Sequence, residues 1–494
     1  MLQFFWWSVT NHESRIETTL GLSVALPLWL VLLLVVLATV AVVEFFLLPG
    51  VRWYFRRKVN RMIDEVSTRF SMEIPEFKLT RRQVLIDRLF HDDKVQAAVA
   101  QCCAREGLPR AQVLARVNGY AREIVPSFNA YAYFRWGYAI AKYYARWLYR
   151  VRLGYTDSAA LAALNPRSSV VFVMNHRSNM DYVLVAFLAA ERTALSYAVG
   201  EWARVWPLQS LIRSMGAYFV RRNSGDPLYR AVLQRYVQMA TEGGVPQAVY
   251  PEGGLTLDGK LRAPKLGLLD YMLKAFNPAG ERDLVFIPVG INYDRVLEDR
   301  TLLRKLNAGA ARTSVLSVVS TCAATLRFFA RNLWLMMTGR WYRYGYACVS
   351  FGRPVSMREH VAKHGIDFRS LNDAERHAAV TEVGAQLMAA IRDVIPVLPV
   401  SLVASVLLRA QGKPLAEIDL KAKSFALVQQ LEGRGAHVYV PRSDLDYAIG
   451  VGLRMLTLRR IVIEVDGLYR VADGEHAVLA YYANAIAPLV ESLS

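Results

Sequence analysis

The chain has 494 residues, of which 54% are hydrophobic, a high fraction for a soluble protein, and its length allows two or three domains with a large core. Its formal net charge of +18 favours an anionic partner, such as phospholipid headgroups, a phosphorylated small molecule or nucleic acid. The spacing of the four cysteines excludes both a disulfide framework and a metal-ligand pairing, in agreement with a reducing compartment. These are Cys102, Cys103, Cys322 and Cys348.

The first fifty residues contain a segment long and apolar enough to cross a membrane. Residues 26–43 carry no charge, and the apolar run continues to Leu48 before Pro49-Gly50. Since about 20 apolar residues span a bilayer, we predict a transmembrane helix over residues 26–48 within an N-terminal segment 1–50. A buried hairpin in a core is the alternative. Basic residues follow this segment directly, so the positive-inside rule places the bulk of the chain in the cytoplasm.

The rest of the chain divides into three regions by its pattern. Residues 51–150 show helical periodicity and no strand-like alternation, which predicts a helical domain. Residues 151–395 alternate short apolar runs with helical stretches, which predicts an α/β domain with a mixed or parallel sheet covered by helices on both faces. Residues 396–494 combine helices with a hairpin signal at Asp466-Gly467, which predicts a helical, winged-helix-like C-terminal domain.

Residues 169–182 place a histidine and an aspartate five residues apart where a strand ends. The apolar, β-branched run at 170–173 predicts a buried strand, and Ser178 predicts a helix N-cap with Asp181 three residues on. His176 therefore lies on the turn at the carboxyl end of the strand, where open α/β sheets bind their ligands. Alternatively, Asp181 serves only as part of a capping box and His176 is an ordinary loop residue.

Two further loops follow predicted strands. In the first, a short strand delivers the adjacent Arg221 and Arg222, whose planar donors suit bidentate binding of phosphate. In the second, Glu252 can accept hydrogen bonds from hydroxyls, while Gly253 and Gly254 let the backbone approach a ligand closely. Taken singly, a solvated basic loop and a plain turn remain the alternatives.

Together and in this order, the motifs resemble the glycerolipid acyltransferases, and most of all the glycerol-3-phosphate acyltransferases. The resemblance covers most of the chain after the predicted membrane helix. It is carried by four ordered blocks and a tail: His176-Arg177-Ser178-Asn179-Met180-Asp181, residues 216–222, Pro251-Glu252-Gly253-Gly254, Ile287-Pro288-Val289, and then residues 349–354 and 481–486.

The resemblance implies an O-acyltransferase that moves a fatty acyl chain from acyl-CoA or acyl carrier protein to the 1-hydroxyl of glycerol 3-phosphate, the first step of phospholipid synthesis. His176 would be the general base, and Asp181 would fix its tautomer and stabilise the imidazolium. No metal and no cofactor would be required. We then expect a single-pass protein of the inner (cell) membrane, in contact with anionic phospholipid, whose catalytic domain is cytoplasmic.

By the same analogy, the other blocks supply the substrate contacts. Arg221 and Arg222 would hold the acceptor phosphate, and Pro288 would lie near the acyl donor. Glu252, Gly253 and Gly254 would form the acceptor and oxyanion region.

One position departs from the family pattern. Where an arginine usually follows the glycines, this chain has Leu255, and Leu257 stands where a second arginine is common. Leucine cannot bind phosphate, so Lys260, Arg262 or Lys265 would have to substitute. The acceptor would otherwise differ, for example dihydroxyacetone phosphate or a lysophospholipid.

Two alternatives from other classes remain open. A membrane-tethered nucleic-acid-binding protein would use the positive charge and the winged-helix-like end, but only Arg454, Arg459 and Arg460 lie near the hairpin and no recognition-helix cluster is visible. We therefore expect no nucleic-acid partner. A non-catalytic lipid-binding relative would bind the same ligands without consuming a thioester.

Overall fold

The structure, a computed structural model, forms two compact units, residues 1–69 and residues 70–494. It describes residues 13–17, 23–27, 29–33, 35, 75–129, 133, 137–189, 195–200, 208–221, 224–308 and 343–491.

The first unit contains two antiparallel strands and a helical stretch. Strand β1 (Glu13–Glu17) pairs with β2 (Ser23–Pro27), and residues 29–33 and 35 are helical. The first two residues of the predicted transmembrane segment therefore lie in a strand, and residues 36–48 lie outside the described residues. In the described part of the chain, no helix combines the length and the apolar character needed to cross a membrane.

A mixed eight-stranded sheet forms the centre of the second unit. Its spatial order is β3-β9-β8-β4-β7-β5-β6, with β10 added against β8. Strand β8 pairs antiparallel with β9 and β10, and the other neighbours are parallel. The strands are β3 (Arg150–Thr156), β4 (Ser169–Met174), β5 (Ser196–Gly200), β6 (Tyr218–Val220), β7 (Gln247–Val249), β8 (Leu284–Tyr293), β9 (Tyr346–Phe351) and β10 (Val355–Ser356). The predicted mixed α/β sheet is confirmed.

Helices lie before, between and after these strands. They are α1 (Glu76–Leu79), α2 (Arg82–Phe90), α3 (Asp93–Glu106), α4 (Arg110–Ile124), α5 (Tyr138–Leu148), α6 (Ser158–Ala162), α7 (Met180–Ala189), α8 (Leu208–Ser214), α9 (Pro227–Glu242), α10 (Gly267–Leu273), α11 (Asp299–Ala308), α12 (Met357–His364) and α13 (Asp373–Asp393).

The two faces of the sheet pack against different helices because successive residues of a strand point to opposite faces. On β4, Val171 and Val173 pack in a cluster with helices α2 to α4, α9, α10, α12 and α13. Phe172 and Met174 point the other way and pack with α5, α7 and the C-terminal helices. We call these the first and the second face. All six residues of β4 are buried, as its uninterrupted apolar sequence predicts.

The predicted boundaries at residues 150 and 395 do not separate compact units. The described helices of the 51–150 stretch pack directly on the sheet, and helices after 395 complete the core on its second face. Residues 70–494 therefore form one unit.

The C-terminal region combines helices with a small antiparallel sheet of order β11-β13-β12. Asp466 and Gly467 connect β12 to β13 with φ values of 53° and 73°, the left-handed conformations that a tight hairpin turn requires. The predicted hairpin is confirmed. The elements are α14 (Pro399–Arg409), β11 (Leu415–Ala416), α15 (Glu417–Gly433), α16 (Leu445–Leu458), β12 (Val462–Val465), β13 (Leu468–Val471), α17 (His476–Ala483) and α18 (Ala487–Glu491).

Two glycines of α16 provide a matched test of this packing. A Cβ at Gly452 would lie 2.5 Å from the carbonyl oxygen of Pro399 in α14, whereas a Cβ at Gly450 would meet nothing within 4 Å. Gly452→Ala should therefore lower the free energy of unfolding by about 1–3 kcal/mol through overpacking. Gly450→Ala should leave it unchanged or raise it, since alanine favours helix. Denaturant unfolding of the full chain measures both, and equal effects would contradict the predicted contact.

Candidate active site

His176 lies, as predicted, in the loop between β4 and α7. The helix begins where the Met180 backbone N–H donates to Ser178 Oγ at 3.1 Å. Ser178 thus satisfies one of the free N–H groups of the first turn, as an N-cap residue does. The predicted strand, turn and helix are all present, and they place His176 at the carboxyl edge of the sheet.

The carboxylate of Asp181 receives four hydrogen bonds in the protein interior. Its Oδ2 accepts from His176 Nδ1 at 2.9 Å and from the backbone N–H groups of Arg177 and Ser178 at 2.7 and 3.0 Å. Its Oδ1 accepts from the hydroxyl of Tyr293 at 2.5 Å. Asp181 therefore accepts the backbone N–H of the N-cap residue Ser178, as in a capping box, and also contacts the imidazole.

The imidazole of His176 is itself buried, with 2% of the residue exposed. Because Nδ1 faces Asp181, the neutral ring has its proton on that nitrogen and its lone pair on Nε2. Nε2 makes no hydrogen bond to any residue that the structure describes. The ring of Tyr250 stacks on the imidazole at 4.0 Å, and the ring of Tyr182 meets it edge-on at 5.4 Å. These contacts fix the ring and leave one nitrogen able to accept a proton.

Glu252, a predicted site residue, holds the backbone of His176. Its Oε1 accepts from the His176 N–H at 2.8 Å, and its Oε2 accepts from the Arg262 N–H at 3.0 Å. The carbonyl oxygen of His176 is held as well, because it accepts from the Thr256 N–H at 2.9 Å. Burial raises the pKa of Glu252 to about 7, against the opposing effect of the two backbone donors. Glu252 is therefore a positioning residue for the histidine.

A second glutamate, the half-buried Glu298, holds the start of α7. It accepts from the hydroxyl of Ser178 at 2.8 Å and from the side-chain amide of Asn179 at 3.1 Å. Burial raises its pKa. Sequence reasoning missed this residue, since it lies 120 positions from Ser178 and outside the four blocks.

The C-terminal region contacts the same loop through Arg177. This buried guanidinium donates to the carbonyl oxygens of Gly259 at 3.1 Å and Tyr481 at 3.4 Å. Gly259 has φ +86°, and a Cβ there would lie 2.1 Å from the Tyr481 carbonyl oxygen. Asn484 also donates to the Asp258 carbonyl at 2.9 Å. The tail that carried part of the resemblance thus packs against the motif loop and the loop after β7.

The described contacts of Arg221 are with helices of the first face and do not include His176. Arg221 follows the edge strand β6, and its guanidinium donates to both carboxylate oxygens of Glu123 in α4 at 2.8 and 2.7 Å. It also lies over the rings of Tyr120 and Tyr229, on helices that cover the first face of the sheet. His176 contacts residues of the second face. Arg222 lies outside the described residues.

Pro288, the residue predicted to lie near the acyl donor, is also not a described contact of His176. Pro288 lies inside β8 opposite Val173, a residue of the first face, and lines a surface cleft with Arg353 and His437. The residues that line this cleft are not among the described contacts of His176.

The glycine block does adjoin the site. Gly253 has φ +68°, donates its N–H to the Tyr250 carbonyl, and packs on the stem of Lys265. Gly254 is buried beside it, whereas Lys260 is exposed one residue after Gly259. Leu255 and Leu257 pack against the apolar cluster of the second face, where an arginine would not be stable without a partner.

Sequence reasoning also missed Tyr293 and Tyr250 as groups of the site. Tyr293 ends β8, six residues after the start of the Ile287-Pro288-Val289 block, and its position at a strand end was a usable signal. Tyr250 directly follows β7 and precedes Glu252, yet an aromatic residue there predicts only a core position.

Two protein-family models match segments of this chain. A family model described as "Acyltransferase" matches residues 158–292, and one described as "Glycerol-3-phosphate acyltransferase C-terminal region" matches residues 332–491. The chain is thus similar to an acyltransferase domain and to the C-terminal region of glycerol-3-phosphate acyltransferases. The first model contains the His176 loop and the strands beside it, and the second contains the C-terminal helices that hold Arg177.

Similar proteins named glycerol-3-phosphate acyltransferase occur in several bacteria. The chain is 26% identical over 430 residues to that of Pseudomonas putida, covering 83% of this chain and 49% of the relative. It is 27% identical over 377 residues to that of Xanthomonas campestris, covering 74% of this chain and 41% of the relative. The chain spans about half the length, or less, of these curated relatives.

Among solved structures, the chain is similar to the 1-acyl-sn-glycerophosphate acyltransferase PlsC from Thermotoga maritima, with 18% identity and a TM-score of 0.30. The match covers 52% of this chain and 78% of that chain. A likeness at this level carries no argument about the site.

The raised pKa of Glu252 predicts a pH dependence of stability. The folded protein holds this proton up to about pH 7, whereas the unfolded chain loses it near the ordinary value of 4.5. The folded state therefore binds more protons in this interval, and the free energy of unfolding falls as the pH rises through it. Glu252→Gln cannot titrate and should lack this part of the slope.

Thermal unfolding of both proteins from about pH 5 to about pH 8 measures the difference. A constant loss of stability is expected in addition, because the amide NH₂ of glutamine faces one backbone N–H. Parallel curves for wild type and variant across the whole range would contradict the prediction.

Proposed function

We propose that this protein transfers a fatty acyl chain from an acyl thioester to the 1-hydroxyl of glycerol 3-phosphate, with His176 as the general base. The observation that carries the proposal is the buried pair of His176 and Asp181. Asp181 accepts from Nδ1, and Nε2 has no partner in the described residues. A ring held in this tautomer is suited to take a proton from a substrate hydroxyl.

The proposed reaction proceeds by addition and elimination. The acceptor hydroxyl loses its proton to His176 Nε2 while its oxygen attacks the thioester carbonyl carbon, and the carbonyl oxygen becomes an oxyanion. The tetrahedral intermediate then collapses with cleavage of the C–S bond, and the leaving thiolate takes the proton from the imidazolium. Asp181 stabilises the positive ring between the two steps. The products are an ester and a free thiol.

The names of the relatives support glycerol 3-phosphate as the acceptor, and the donor would be acyl-CoA or acyl carrier protein. Acyl transfer to dihydroxyacetone phosphate or a lysophospholipid is the nearest alternative. Because the chain matches only about half of each relative, an assay must test the donor and the acceptor separately. A non-catalytic lipid-binding protein would bind these ligands without releasing thiol.

We infer that the acceptor phosphate binds the loop of residues 260–265. This loop carries Lys260, Arg262 and Lys265, all exposed, whose charged groups make no ion pair among the described residues. The loop adjoins the site because the Arg262 N–H donates to Glu252. Arg221, in contrast, already donates to both oxygens of Glu123. For Arg222, binding of this phosphate stays a prediction.

We also propose that the protein works at an anionic membrane surface on the cytoplasmic side of the inner membrane. The net charge of +18 supports this. Helix α5 adds an apolar surface, since Ile140 and Tyr143 are 56% and 74% exposed. A polar helix face beside such exposed apolar groups is typical of interfacial helices.

We further infer that residues 399–471 form a winged-helix-like module with a packing function. Its order of helix, strand, two helices and a hairpin supports this reading. Arg459 beside the hairpin is not available to a nucleic acid, because it donates to Asp299 and to the hydroxyl of Tyr482 in the interior. Of the three arginines near the hairpin, Arg459 is therefore engaged within the fold.

The first test of the function replaces the base. His176→Asn keeps a donor toward Asp181 but has no group that can accept the hydroxyl proton. It should lower kcat by about 10²–10⁴-fold. His377→Ala, on the exposed side of α13, is the matched control and should keep full activity.

Release of free thiol by membranes containing the full chain measures this, with each acceptor combined with each donor. Thermal unfolding checks that the variants are folded. Full activity of a folded His176→Asn protein would overturn the mechanism.

The second test concerns the acceptor phosphate. Lys260→Ala or Arg262→Ala should raise the KM for glycerol 3-phosphate about tenfold to a hundredfold, because a charged hydrogen bond is lost, and should leave the KM for the acyl donor unchanged. Arg221→Ala should lower the thermal stability and leave both KM values nearly unchanged. If Arg221→Ala raised the KM for glycerol 3-phosphate and the other two variants did not, Arg221 would be the phosphate-binding residue instead.

A further inference from the structure

The ring of Tyr250 stacks on the imidazole of His176, and its hydroxyl is buried without a hydrogen-bond partner among the described residues. The residue is 9% exposed, and its Oη makes no hydrogen bond to any residue that the structure describes. Buried hydroxyls nearly always have a partner, and those without one need an explanation. A phenylalanine would fill the same space and would not lose hydration of the hydroxyl on burial. Burial of this hydroxyl therefore lowers the stability of the fold, and no hydrogen bond within the described residues compensates for it.

The ring that carries this hydroxyl is held by its neighbours. It stacks on the imidazole of His176 with 4.0 Å between centroids and 27° between planes, and the ring of Tyr182 lies beside both, 4.9 Å from the Tyr250 centroid and 5.4 Å from that of the imidazole. Its backbone is fixed as well, because the Tyr250 carbonyl accepts from the Gly253 N–H at 2.9 Å. A donor held this rigidly needs no reorganisation during a reaction, which is what makes such donors effective.

The hydroxyl is also in the right protonation state to donate. Burial raises the pKa of Tyr250 well above its ordinary value, and the nearby charge of Asp181 raises it further. The phenol therefore stays neutral over the physiological range and presents an O–H group. Asp181 occupies the Nδ1 side of the imidazole, so a reacting hydroxyl would meet Nε2 of the ring that stacks on Tyr250.

We propose that Tyr250 Oη donates a hydrogen bond to the thioester carbonyl oxygen of the acyl donor as that oxygen becomes an oxyanion. The inference rests on the acyl transfer proposed above. As the acceptor oxygen bonds to the carbonyl carbon, the π electrons move to the carbonyl oxygen, and Tyr250 hydrogen-bonds the negative charge. The acceptor proton goes to His176 Nε2. Collapse re-forms the carbonyl, breaks the C–S bond and returns the proton to the thiolate.

Tyr250→Phe in the full chain tests this. The variant should lower kcat by about 10²–10³-fold, the effect of removing one oxyanion donor. The KM values for both substrates should change less than about twofold, because the bond forms in the transition state and not with bound substrate. The thermal unfolding midpoint should stay the same or rise, since a buried hydroxyl without a partner is removed.

Tyr197→Phe is the matched control. Its hydroxyl is likewise buried without a partner among the described residues, but its ring contacts Tyr182 and not the imidazole. This variant should keep wild-type kcat, with the same or a higher unfolding midpoint.

The outcomes separate this inference from the proposed function. If the wild-type protein releases no thiol with any acceptor, the acyl transfer itself is wrong. If the wild type is active and Tyr250→Phe keeps its kcat, or changes only the KM for the acceptor, the oxyanion role is wrong. A parallel loss of kcat and thermal stability would assign Tyr250 to the core and would also overturn the inference.

Discussion

The structure of the site depends on the buried carboxylate of Asp181. Its four hydrogen bonds join the imidazole of His176, two backbone N–H groups at the start of α7, and the hydroxyl of Tyr293 at the end of β8. A carboxylate accepts several charge-assisted bonds of this kind well, and each is stronger than a bond between neutral groups. This one carboxylate therefore orients the base, caps the start of the helix and attaches the loop to the sheet. A change at Asp181 affects all three at once.

The order of the strands places the supporting groups around this carboxylate. β4 lies between β8 and β7, so the loop after it is flanked by the ends of two neighbours. β8 supplies Tyr293, and the segment after β7 supplies Tyr250 and Glu252. In a parallel arrangement these ends meet at one edge of the sheet. The C-terminal region then closes the outer side of the loop through Tyr481, which explains why it belongs to the same compact unit as the sheet.

Sequence patterns predicted the local parts of this site and missed those that depend on packing. The strand at 170–173 and the cap at Ser178 follow from residues a few positions apart, and both are confirmed. Tyr293 contacts Asp181 across 112 positions, and no periodicity links two such residues. The partner of Arg221, Glu123, lies 98 positions earlier on a helix and is not evident from the local sequence. A charged side chain can be assigned to a ligand only after its partners within the fold are known.

Three acidic side chains lie around the loop that carries His176, and their pKa values limit the negative charge there. Asp181 and Glu252 approach the His176 loop, Glu298 approaches the start of α7, and the buried cation among them is Arg177. Three ionised acids beside one guanidinium would leave a net negative charge at this loop. Burial instead raises the pKa of both glutamates. Less negative charge then surrounds the loop than the number of carboxyl groups indicates, and the guanidinium of Arg177 offsets part of what remains.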